Sequence, residues 1–288
     1  MKARIRDTEI YFDIDGVGLR AEPDRVVERP TAFLIHGGPG GDHSGYKSSM
    51  GSLTDRMQLV YFDHRGQGRS ARAHPDTYTM ENYVEDMEGL RQHLGLDTIV
   101  VIGASFGGMV ALAYSVRYPQ HVSHLLAVVT TPSYRYVARA REIVAERGTP
   151  EQQEVVKRAL DGEFADEEDM AHFFDVMGPM YSLTHDPEKA KLARKRGILS
   201  PEASNVWLKR HVWDYDVTEQ LHAITAPTLV IGARHDWICA PEFSEEIAAR
   251  IPQAELRMFE NSGHNVMADE PEAFLDVVRG FLPYRTSS

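Results

Sequence analysis

Short apolar runs recur at residues 32–35, 59–62, 99–102, 125–129, 228–231 and 256–259, and most are separated by segments whose apolar residues return at helical spacing. Runs of that length without polar alternation fit strands covered on both faces. Their alternation with helices predicts a parallel sheet with helices on either side. The stretch 80–94 shows the helical period plainly, with Met80, Tyr83, Val84, Met87, Leu90 and Leu94 on one stripe. A second helix is predicted after Ser105, through Met109, Val110 and Leu112, until Pro119 stops it. Near the start, residues 4–14 alternate through Ile10, Phe12 and Ile14, which predicts one half-buried antiparallel edge strand. Residues 15–18 and the charged, proline-containing stretch behind them then read as turn and loop. From residue 133 to residue 222 the strand rhythm stops, and charged helical segments rich in Met and aromatics replace it. The expected organisation is a core over 1–132 and 223–288 with a helical cap, 133–222, inserted between its parts.

Composition narrows the partners. A chain of 288 residues with 42% hydrophobic and 26% charged positions is of ordinary globular type. Its formal charge of -12 sets it against nucleic acid and anionic membrane, which leaves a small molecule or short peptide as the expected partner. No apolar run approaches membrane-spanning length, and the charged opening Met1-Lys2-Ala3-Arg4 lacks a signal core, so the expected location is cytoplasmic. The single cysteine, Cys239, forms no intrachain disulfide. It reads as a packing residue, and one that thiol reagents would attack if it were accessible.

The chemistry concentrates at strand ends. The run Ile99-Val100-Val101-Ile102 leads into Gly103-Ala104-Ser105-Phe106-Gly107-Gly108, where small residues flank a serine at a predicted strand-to-helix turn. Such a turn lifts the hydroxyl off the sheet and aims the first helical amides at an anion beside it. An ordinary tight turn is the other reading of this segment. A serine is a poor nucleophile until a histidine takes its proton and a carboxylate orients that histidine. In an open parallel sheet these groups belong on loops past the strand C-termini. Asp236 follows the strand that starts at residue 228, and His264 follows the last one, which puts acid and base where they are needed. Of thirteen histidines, most are set aside by location on helix faces, helix ends or the insertion. Upstream, His36-Gly37-Gly38-Pro39-Gly40-Gly41 places four glycines within five residues directly after a strand. Their amides can hold an oxyanion, with Gly38 and Phe106 as the expected donors. A phosphate loop is disfavoured because no Lys-Ser/Thr pair follows. His36 reads as a residue that ties the loop down.

With these pieces in order, the chain resembles the α/β-hydrolase superfamily, and within it the proline iminopeptidase family. The likeness rests on His36-Gly37-Gly38-Pro39-Gly40-Gly41, on Tyr61-Phe62-Asp63-His64-Arg65-Gly66-Gln67-Gly68-Arg69-Ser70 and on Gly103-Ala104-Ser105-Phe106-Gly107-Gly108. The resemblance implies an α/β-hydrolase fold, with a mostly parallel central sheet of about eight strands, helices on both faces and an inserted helical cap. It implies a triad of Ser105, Asp236 and His264 acting through an acyl-enzyme, with no cofactor and no metal. Asp63 and Arg65 match a segment that braces loops. His64 stands where the family usually has Gln. The family's amine-binding glutamates find no residue-by-residue match in this cap, where Glu163, Glu202, Asp214 and Asp216 are the available carboxylates. Phe173, Met177, Tyr181, Trp207 and Trp213 are the candidates for lining a pocket, their alternative being the cap's own core. The activity the resemblance implies is release of an N-terminal residue, proline-type, from small peptides; the alternatives are an esterase, lactonase or amidase on small apolar substrates and a non-catalytic ligand-binding α/β-hydrolase.

Overall fold

The computed structural model describes residues 1–21 and 23–282. Eight strands form the central sheet: β1 Lys2–Ile5, β2 Thr8–Asp15, β5 Thr31–Ile35, β6 Gln58–Phe62, β7 Ile99–Ala104, β8 Val122–Val128, β9 Thr228–Ala233 and β10 Ala254–Phe259, in the order β1-β2-β6-β5-β7-β8-β9-β10. The pairs from β6 to β10 are parallel, while β1–β2 and β2–β6 are antiparallel. The sheet therefore matches the expected fold class. Its central strands are apolar without interruption because both faces are covered. Along β7, Ile99 and Val101 face one core cluster while Val100, Ile102 and Ala104 face the other. At about 1.5–3 kcal/mol for each fully buried aliphatic side chain, these alternating contacts hold the sheet between its helices.

The helices are α1 Ser44–Met50, α2 Met80–His93, α3 Phe106–Arg117, α4 Tyr136–Arg147, α5 Pro150–Leu160, α6 Glu167–Tyr181, α7 Pro187–Arg194, α8 Pro201–Val206, α9 Pro241–Arg250, α10 Val266–Asp269 and α11 Pro271–Phe281. Among the described residues no helix is long and apolar enough to cross a membrane. Helices α4 to α8 all lie between β8 and β9. The two ends of this segment meet where Ser133 bridges Asp216 antiparallel, flanked by Tyr134 N–H donating to Tyr215 O and Val217 N–H to Pro132 O. The neck thus closes near residue 216. The turn Thr218–Ala223 beyond it packs with α3 and α9 of the core.

Two expectations at the N-terminus need correction. Residues 4–14 are not one strand but the hairpin β1–β2, reversed at Arg6-Asp7, with Arg6 at φ 55°. Asp7 is a common turn residue, but the pair lacks the glycine that marks a two-residue hairpin turn, so the alternation runs through the reversal unmarked. The stretch behind Gly16 also holds a small exposed hairpin, β3 Leu19–Ala21 against β4 Val26–Glu28, rather than loop alone.

Candidate active site

Ser105 sits between the end of β7 and the first residue of α3 at φ 56°, ψ -125°, a backbone conformation that a non-glycine residue adopts only under constraint. Its amide donates to Val128 O at 3.0 Å and its carbonyl accepts from Thr130 Oγ1 at 2.7 Å. The flanking glycines are required by close approach. A Cβ on Gly107 would lie 1.9 Å from Ile35 O, and one on Gly103 would lie 2.2 Å from Gly107 O. Because Phe106 is the first residue of α3, its amide has no intrahelical acceptor and faces the helix's N-terminal side.

The glycine loop after β5 lies directly against the serine, for a Cβ on Gly37 would stand 3.3 Å from Ser105 Cβ. Gly38 has φ 134°, and a Cβ there would meet the Gly40 and Gly41 amide nitrogens within 2.9 Å. The loop is held from several sides. Gly40 N–H donates to Gln67 Oε1 at 2.7 Å, and Tyr46 Oη donates to Ile35 O at 3.1 Å. His36 fastens it from within: its Nε2 accepts from the His64 amide at 3.2 Å, so its Nδ1 carries the proton facing Gly37 O at 2.8 Å. Burial lowers the pKa of His36 and drives that of His64 well below the ordinary histidine range, which keeps both rings neutral. Asp63 braces the neighbouring turn. Burial opposes its charge, yet hydrogen bonding from His43 and the Arg69 amide prevails and holds its carboxyl below the usual range.

Asp236 and His264 come together on the loops after β9 and β10. Asp236 Oδ2 accepts from His264 Nδ1 at 2.7 Å. Its Oδ1 accepts from the Ile238 and Cys239 amides at 2.9 and 3.0 Å, which fixes the carboxylate plane. Asp236 is buried, and His264 borders the same cavity as Ser105. The His264 loop is pinned by Gly263 N–H donating to Asp269 Oδ2 and by Asn265 N–H donating to Tyr181 O of the insertion. His235 lies half-buried beside Asp236 and is not part of the pair.

A cavity of about 700 Å³ opens over Ser105 between the sheet edge and α4–α8. Its walls are mainly apolar, with Tyr136, Leu160, Phe164, Met170, Phe173 and Leu208 on the insertion side. Of the five residues expected to line it, Phe173 and Tyr181 do. Tyr181 packs edge-on against His264 at 5.5 Å and against Trp237 at 5.4 Å. The other three do not. Met177 is fully buried in the core, Trp207 is buried with its ring 5.0 Å from Phe106, and Trp213 is 53% exposed beside Tyr134. Met177 stands one turn beyond Phe173 on α6, but packing of the neighbouring helices sends it inward, away from the cavity.

Glu163, Glu202, Asp214 and Asp216 are all exposed, and none borders the cavity. Among the described residues the one carboxylate lining it is Asp42, whose oxygens already accept from Ser44 N and Oγ, Arg69 Nη1 and the Ile198 amide. Cys239 also faces the cavity but is otherwise buried, and burial pushes its thiol well above the ordinary range. A buried, protonated thiol is a slow target for alkylation, in keeping with a packing residue. Asp42, Tyr46, Thr130, Tyr136 and Trp237 went unread in the sequence. Only Asp42, a charge directly behind the glycine loop, left a signal.

Comparisons with known proteins agree with this architecture. Residues 30–271 match a family model described as alpha/beta hydrolase fold. The chain is 31% identical over 278 residues to "Proline iminopeptidase PfmaB" of Pestalotiopsis fici, covering 94% of this chain and 98% of that one. It is 30% identical over 290 residues to a proline iminopeptidase of Saccharolobus solfataricus, covering 95% and 92%. Among solved structures, an alpha/beta fold family hydrolase from Bacillus anthracis superimposes with a TM-score of 0.79 at 22% identity, covering 98% of each chain. An enol-lactonase from Burkholderia xenovorans does so at 0.75 and 21%, covering 98% and 99%. At such identities these two likenesses speak for the fold alone.

Proposed function

Because the chain belongs to the alpha/beta hydrolase fold family and is a hydrolase, we propose that it is a serine hydrolase of small carboxylic esters or lactones carrying a bulky apolar group. Ser105 Oγ attacks the substrate carbonyl carbon while His264 accepts its proton, and Asp236 holds the imidazole by the 2.7 Å bond to Nδ1. The amides of Gly38 and Phe106 take the oxyanion of the tetrahedral intermediate. His264 then returns the proton to the departing alkoxide, leaving Ser105 acylated. A water deprotonated by His264 attacks the acyl carbon, and collapse of the second intermediate frees the acid and the serine.

The observation that carries the substrate class is the cavity's charge. An N-terminal ammonium brought into an apolar cavity needs an anionic partner, because an unpaired buried charge costs several kcal/mol. The only carboxylate lining the cavity among the described residues, Asp42, is committed to Arg69 and to three other donor atoms. An uncharged ester meets no such demand, and the apolar walls suit its acyl or alcohol part. Release of an N-terminal residue, the first expectation from the sequence, becomes the second reading, supported by the 31% identity to PfmaB across nearly the full length of both chains.

The test pairs p-nitrophenyl esters of increasing acyl size with prolyl and other aminoacyl naphthylamides. The expected result is higher kcat/KM on esters, increasing with apolar bulk, and stoichiometric fluorophosphonate labelling of Ser105 that Ser105→Ala removes. Prolyl naphthylamide turnover above that of every ester would decide for the aminopeptidase. A native protein that takes no label would decide for a non-catalytic binding role.

A further inference from the structure

Cys239 lies three residues past Asp236, yet the reaction above makes no use of it. One ligand-type atom from each of Asp236, Cys239 and His264 lies within 4.8 Å of the other two, and all three residues are buried. Cys239 and His264 border the cavity, so an ion entering it reaches the group without unfolding of the chain. We propose that Asp236, Cys239 and His264 form an inhibitory binding site for a thiophilic divalent cation, with zinc as the reference ion. The site rests on the placement of these three side chains, and only its inhibitory effect rests on the serine-hydrolase reading.

The donor set selects the ion. One thiolate, one imidazole nitrogen and one carboxylate oxygen suit zinc or cobalt, whereas magnesium and calcium demand oxygen ligands. Bonds of about 2.0–2.3 Å at tetrahedral angles put neighbouring ligand atoms roughly 3.3–3.8 Å apart, close to the present placement within 4.8 Å; for coordination at Nδ1, Asp236 Oδ2 and His264 Nδ1, now 2.7 Å apart, must open slightly. Charge favours it as well. A carboxylate, a thiolate and a neutral imidazole cancel the two positive charges, which makes the complex formally neutral in an apolar cavity. Binding is balanced by one proton: the thiol loses it on coordinating the ion, and it leaves through the cavity to solvent. A water or the neighbouring Ser105 hydroxyl completes the fourth position.

The consequence for catalysis is direct whichever ring nitrogen binds. Coordination at Nδ1 replaces the hydrogen bond to Asp236 that orients the ring. Coordination at the other nitrogen removes the lone pair that would take the serine proton. Either way His264 stops serving as a base, and because one proton is released, inhibition weakens as pH falls.

The experiment titrates the full chain with cobalt, reading the thiolate-to-metal charge-transfer band, and in parallel measures zinc inhibition of ester hydrolysis. A saturable band that zinc displaces and magnesium leaves unchanged is expected. In Cys239→Ala the band should vanish, and the zinc inhibition constant, taken against that variant's own metal-free rate, should rise about tenfold or more, since even outer-shell changes cost that much. Cys239→Ser, which keeps an oxygen of similar size, guards against loss of the fold, and circular dichroism checks both variants. No cobalt band in the native protein, or a band undiminished in Cys239→Ala, would overturn the site. A band with undiminished hydrolysis would overturn the inhibitory role. A chain that hydrolyses no ester yet shows the band would leave the site standing and count against the hydrolase reading alone.

Discussion

Gly107 is where a single atom decides whether the strand-to-helix turn at Ser105 can form. Its missing Cβ would fall 1.9 Å from the Ile35 carbonyl oxygen and 2.6 Å from that of His36, and backbone atoms of a central strand have nowhere to retreat. Gly107→Ala is therefore expected to cost more than about 3 kcal/mol or to prevent folding, as overpacking against rigid backbone does. Gly45→Ala is the control. Nothing lies within 4 Å of a Cβ there, so its cost should stay within about 0.5 kcal/mol. Urea midpoints of the two variants measure the contrast, and equal midpoints would refute the close-packing account of the turn. Ser105 depends on the same packing, because its φ of 56° persists only while β5, β7 and α3 hold it.

At the scale of elements, the insertion is stitched to both halves of the site. The segment between α7 and α8 reaches the glycine loop through Ser200 N–H to Gly40 O at 2.8 Å and Ile198 N–H to Asp42 Oδ2 at 3.0 Å. The end of α6 reaches the His264 loop through the Asn265 amide on Tyr181 O. Helix α7, by contrast, has no buried residue of its own, so these latches carry much of the local order. Asp42→Ala leaves the Arg69 guanidinium and the Ile198 amide without their acceptor, at an expected cost of about 1–3 kcal/mol. Amide hydrogen exchange over 195–200 should accelerate while α3 stays protected, and Asp42→Asn, which keeps one acceptor oxygen, should restore part of the protection. Unchanged exchange in Asp42→Ala would rule the latch out.

For the whole molecule, stability should decline on mild acidification because two buried histidines stand behind the glycine loop. His36 and His64 are both held below their ordinary pKa by burial. Below about pH 6.5 the unfolded chain therefore binds protons that the folded chain refuses. Their contribution is complete above that pH and drains away as pH falls from there toward the folded-state values. Protonating His36 would also abolish the Nε2 acceptor that holds the His64 amide. Denaturant midpoints at pH 7.5 and 5.5 should show the lower value in acid. His64→Gln, neutral at every pH, should narrow the difference, whereas an equal difference in both proteins would count against the histidine account.

Most of the sheet was legible because its strands are covered on both faces, so their apolar runs announce themselves. The glycine loop, Ser105, Asp236 and His264 were legible for a related reason: a parallel sheet delivers strand C-termini to one edge, and small residues and acid–base groups placed after strands must converge there. The hairpin at Arg6-Asp7 was hidden because Asp7 alone, with no glycine beside it, does not mark a two-residue hairpin turn. Phe173 and Met177 share a helical face, yet one meets the cavity and the other the core, because the difference lies in what packs against α6. Asp42 takes its bond from a segment more than a hundred residues away, which no local pattern marks. Local patterning, which acts between neighbours in the chain, determined the elements and the placing of Ser105, Asp236 and His264 directly after their strands. The tertiary structure alone decided the cavity's walls, its lack of an uncommitted carboxylate among the described residues and the approach of Cys239 to Asp236 and His264. Those are contacts between distant segments, set by packing and solvent exclusion that no local spacing encodes.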